Sequence, residues 1–124
     1  MTVAFSPEEI ATIKKKKTST EDLEAIIEEL KKEQLDIIFI EGFHGYISKK
    51  PDILKIVTAK NSEDLKTTLA NTVDPILAIT GLVTKSKLPR SEIPTLDLPD
   101  EGPQLLELLK KHLQTHKNVN KQEN

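Results

Sequence analysis

This sequence predicts an α/β domain with a mostly parallel sheet flanked by helices, on three observations. An amphipathic helix at residues 20–33 feeds directly into an apolar, β-branched run at 35–40. A strand-helix-strand rhythm then repeats over 53–80. The run at 35–40 is apolar on both faces, which suits a strand covered on both sides in a parallel sheet with crossover helices. A chain of 124 residues suits one domain, drawn here at 1–113, with a flexible polar tail at 114–124.

The elements follow in order. Val3, Ala4 and Phe5 read as a short strand stopped by Ser6-Pro7. Ile10 to Ile13 reads as a second strand rather than a helix begun at Ser6, because its β-branched run stops at four lysines, Lys14 to Lys17. In the first helix Leu23, Ile26, Ile27 and Leu30 fall at i, i+3, i+4 and i+7, one apolar stripe. Ser19 or Thr20 caps it, Glu21 and Asp22 suit its N-terminal dipole, and Lys31 and Lys32 suit the other end.

Residues 35–40 are predicted as a buried strand closed by Glu41-Gly42. Residues 53–59 read as another, followed by a helix capped by Asn61 or Ser62 that buries Leu65 and Leu69. Residues 75–80 form a further buried strand closed by Gly81. Pro89 marks a loop over 84–92, and Pro94 and Pro99 limit 93–98 to a short edge strand. Gly102-Pro103 opens the last helix, whose buried face is Leu105, Leu106, Leu108, Leu109 and Leu113.

Composition excludes several function classes. Eighteen Lys plus Arg against 20 Asp plus Glu give a net charge of −2, which argues against a nucleic-acid-binding surface. With no Cys there is no disulfide, thiolate metal site or cysteine nucleophile. No apolar run approaches the ~20 residues of a membrane helix, and no signal-peptide core is present, so the expected setting is cytoplasmic.

The segment that points to chemistry is Glu41-Gly42 at the end of the predicted strand. In open parallel sheets ligands bind beyond the strands' carboxyl ends. A carboxylate there can hold Mg²⁺ or orient a water, and Gly42 lets the backbone turn sharply beside a ligand. The plain alternative is a solvated glutamate that ends a strand. His44, Tyr46, Lys49 and Lys50 form a polar loop that can contact phosphate or simply be solvated. His112 and His116 stand four apart, a metal-binding spacing on one helical face, with no third ligand near in sequence. No Gly-x-x-x-x-Gly-Lys-Ser/Thr, Gly-x-Gly-x-x-Gly or Gly-x-Ser-x-Gly motif occurs, and only Gly42, Gly45, Gly81 and Gly102 are glycine.

The ordered set DIIFIEGF at 36–43, Leu54-Lys55-Ile56-Val57, Ala78-Ile79-Thr80-Gly81 and the Ile-Pro-to-helix portion at 93–109 resembles the MobB family. These are molybdopterin-guanine dinucleotide biosynthesis proteins B. The resemblance implies a P-loop NTPase-like three-layer architecture, GTP and Mg²⁺ as ligands, a homodimer, and a MobA-like nucleotidyltransferase as partner. It implies Glu41 as the catalytic and Mg²⁺-binding acid, with Gly42 and Lys55 at the nucleotide. It also implies that the phosphate-binding loop would precede Met1, so that this chain would be at most a weak GTPase and inactive alone. His44 stands where the family usually has Lys.

Overall fold

The computed structural model describes residues 2–13, 15 and 17–122, and these form a mixed α/β chain with a small parallel sheet. They cluster into two compact units, Met1–Phe43 and His44–Asn124, where the sequence reading draws a single domain. Lys14 and Lys16 of the lysine run, and the tail's last two residues, lie outside the described residues.

The first unit opens with β1 (Thr2–Phe5) and β2 (Ile10–Ile13), paired antiparallel with Thr2 opposite Ile13 and Phe5 opposite Ile10. The turn is held by Ser6 and Glu9, whose backbone groups exchange hydrogen bonds. Both expected strands are present, but a hairpin is not part of a parallel sheet, and parallel pairing is confined to the second unit. Helix α1 (Thr20–Leu30) starts at a full capping box: the Ser19 side chain accepts from Asp22 N–H, and Asp22 accepts from Ser19 N–H. It ends one turn earlier than expected, with Lys31 as the C-cap residue, and Leu23 is its buried position.

The strand expected at 35–40 is absent. Those residues lie outside any ladder, and Leu35, Ile37 and Phe39 are exposed, Phe39 at 81%. The composition favours a strand, but a strand exists only where a neighbour pairs its backbone groups, and none of the described residues does so. Gly42 (φ +84) and Phe43 (φ +53) then take left-handed conformations and turn the chain sharply.

The second unit holds the core. After the short helix α2 (His44–Ile47) come β3 (Lys55–Thr58), α3 (Ser62–Ala70) and β4 (Ile76–Thr80), a strand-helix-strand unit with β3 and β4 parallel. Asn61 caps α3 by accepting from Asp64 N–H at 2.9 Å, as its position before the helix implies. Val57, Ala59, Leu65, Ile79 and Val83 form the buried cluster. Ile79 also pairs with residues 94–96: its N–H donates to Pro94 O and its carbonyl accepts from Leu96 N–H. That single parallel bridge, Ile79 to Thr95, is the short edge element the prolines allow. A 3₁₀ turn (Leu82–Lys85) follows Gly81, and α4 (Gly102–Gln122) runs well past Leu113 into the segment read as a tail.

Candidate functional site

Parallel strands end their ladders on the same side, so the ends of β3 and β4 come together at Thr58 and Thr80, which are paired in register. Their hydroxyls are 3.0 Å apart. Beyond them the backbone crosses closely: Ala59 N–H donates to Thr80 O, and Val83 N–H donates to Ala59 O. Gly81 makes that approach possible. It sits at φ +97, and a Cβ there would lie 2.6 Å from Ala59 O.

These residues form one end of a cleft of about 370 Å³ at the carboxyl edge of the parallel pair. It lies on the side where open α/β sheets hold their ligands, beyond the strands' carboxyl ends. Leu82 and Leu98 give it apolar surface; Lys60 and Lys85 oppose Asp64 and Asp97. The Asp64 carboxylate accepts from Lys60 N–H at 2.8 Å. Asp97 is paired with Lys85, and its N–H donates to Glu101. The hydrogen bond and charge of Asp97 raise the Lys85 pKa above 10.5. The ammonium therefore stays charged through neutral pH, and its contribution is lost as pH climbs through that raised value. A larger open hollow, about 540 Å³, lies along α4 beside Pro94 and Leu96, away from the strand ends.

The sequence-predicted residues stand elsewhere. Glu41 and Gly42 belong to the first unit, and Glu41 is exposed on the unpaired segment, not at a strand end. Among the described residues no three His, Cys, Asp or Glu side chains converge as a metal site. Magnesium is often held by one or two carboxylates plus substrate phosphates, so Glu41 by itself does not make a protein cage.

Lys55 belongs to the second unit and is buried, its ammonium donating to Lys50 O at 2.7 Å and Ile53 O at 2.6 Å. Burial lowers its pKa from 10.5, while Asp52 and Asp74 pull it back. It ties down the loop before β3. Replacing it with Met leaves two carbonyls without their charged donor, and we expect a loss of about 1–3 kcal/mol in urea melts. In the segment read as a polar loop, either solvated or touching phosphate, His44 opens α2, Lys49 donates to Asn71 O at 3.0 Å, and Lys50 lies 4.4 Å over the Tyr46 ring.

The apolar run at 35–40 draws the sequence reading to Glu41 and away from the cleft residues. Two signals pointed to them: Ala59-Lys60-Asn61 between a strand and a capped helix, and Gly81 straight after the second strand.

No family model, curated protein or solved structure matches this chain. No helix among the described residues is long and apolar enough to cross a membrane.

Proposed function

We propose that this chain is a MobB-like accessory module in molybdopterin guanine dinucleotide biosynthesis, carrying part of a guanine-nucleotide site. The observation that carries the reading is the cleft at the carboxyl ends of β3 and β4, with Gly81 at the crossing and charged groups of both signs beside Leu82 and Leu98. It is supported by the order of the DIIFIEGF, Lys55-Ile56-Val57 and Ala78-Ile79-Thr80-Gly81 segments along the chain. On this reading the finer architecture is P-loop NTPase-like, completed by a phosphate-loop unit that the 124 residues do not contain. That unit holds the triphosphate; the roles of Glu41 as the Mg²⁺-binding acid and of Gly42 as the turn beside it rest on the family resemblance alone. The assembly is a homodimer that serves a MobA-like nucleotidyltransferase in the cytoplasm, and its own GTPase activity is weak at most.

The test is a titration of Mg²⁺-GTP into the chain alone and into the chain mixed with a MobB phosphate-loop unit. Weak binding alone, strong binding in the mixture, and slower Mg²⁺-dependent hydrolysis with Glu41→Ala are expected. A mixture that binds no better than the chain alone contradicts the reading, and hydrolysis indifferent to Glu41 removes that residue's role.

A second reading is favoured by the exposed Leu35, Ile37 and Phe39. It takes the chain as a protein-interaction domain without nucleotide, because an apolar patch of this kind marks a contact surface. Co-purification with a nucleotidyltransferase regardless of GTP is its expected signature.

A further inference from the structure

Helix α4 carries a pair of histidines that neither the cleft nor the proposed function uses. Its regular course through residues 112–116 puts His112 and His116 one turn apart on one face. Their ring centroids are 4.2 Å apart with planes tilted by 35°. Nδ1 of His116 lies 3.0 Å from the His112 carbonyl oxygen. A carbonyl only accepts, so Nδ1 carries the proton and donates, and the neutral ring's lone pair sits on Nε2. Anchoring one ring nitrogen on a carbonyl and leaving the other as ligand is the usual way a metal-binding imidazole is oriented.

We propose that His112 and His116 chelate one borderline divalent transition-metal ion, of the Ni²⁺, Cu²⁺ or Zn²⁺ class, on the flank of α4. Imidazole nitrogen is the ligand type these ions prefer, and each bond spans about 2 Å, so two rings one turn apart with centroids 4.2 Å apart are near enough to share an ion. Among the described residues no third His, Cys, Asp or Glu joins the pair. Water fills the remaining positions, which makes this a surface chelate and not a closed structural site.

The test uses the full chain and its three histidines. Titration with Ni²⁺, followed by paramagnetic broadening in NMR spectra, is expected to erase signals around His112 and His116 first. His112→Ala and His116→Ala each lose that response with helix content unchanged, whereas His44→Ala keeps it. Long-range ¹⁵N correlation spectra report His116 in the Nδ1–H tautomer, and a Zn²⁺ titration shifts both rings together. Broadening that starts at His44, a response that survives either helix variant, or His116 in the Nε2–H form overturns the proposal.

Discussion

Gly81→Ala is expected to remove a large part of the second unit's stability. Gly81 lies at φ +97, ψ −170, a region reserved for glycine, and occupying it with a side chain costs about 1–3 kcal/mol in backbone strain. The added Cβ also meets Ala59 O at 2.6 Å, Thr58 Cγ2 at 2.9 Å and Ala59 N at 3.0 Å. Two of these three are backbone, so relief requires β3 and β4 to separate at the cleft. The combined loss is roughly 3 kcal/mol or more, a large part of the 5–15 kcal/mol that holds an ordinary domain. Thermal melts should fall by about 10 °C or more. Gly45→Ala is the control: a Cβ there meets nothing within 4 Å, and its melt should stay close to wild type. Equal melts for the two variants would contradict the close approach described at Gly81.

Phe39→Asp is expected to weaken the self-association or partner binding proposed for this chain. Phe39 is the most exposed large apolar side chain among the described residues, on a segment whose neighbours Leu35 and Ile37 are exposed as well. Fully burying such a ring stabilises by about 1.5–3 kcal/mol, which corresponds to roughly a tenfold to hundredfold change in affinity. Sedimentation over a concentration series should show wild-type self-association and a Phe39→Asp chain that remains monomeric to proportionately higher concentration. A wild-type chain that is monomeric throughout and melts cooperatively at high temperature would contradict the proposed homodimer.

Local chemistry was legible in the sequence, and pairing over distance was not. Ser19 with Asp22, and Asn61 with Asp64, are caps written within four residues, and the helices start where those residues place them. The apolar 76–80 run is a strand because Lys55 to Thr58 lies beside it, and the 35–40 run, of similar composition, is not because none of the described residues pairs with it. Propensity is the same in both; the partner decides. Helix α4 outruns its leucine stripe because an established helix needs only one further backbone bond per residue, and the residues after Leu113 include no Pro or Gly to stop it.

The candidate site follows the same division. The rule that ligands bind at the carboxyl ends of parallel strands is sound for this fold class, but it was applied at Glu41, where no strand ends. Applied to Thr58 and Thr80 it leads to Lys60, Gly81 and Lys85. Asp97 enters only through the tertiary fold, which brings it to Lys85. Lys55 shows a further limit: spacing identifies a lysine before a strand, while only coordinates show its ammonium donating to Lys50 O and Ile53 O.

The most direct measurement is a map of backbone amide shifts as Mg²⁺-GTP is added to the chain mixed with a MobB phosphate-loop unit. The account predicts saturable shifts concentrated at Ala59, Lys60, Gly81, Leu82 and Lys85. Saturable binding that leaves these amides unmoved, or no binding in the mixture, would contradict it.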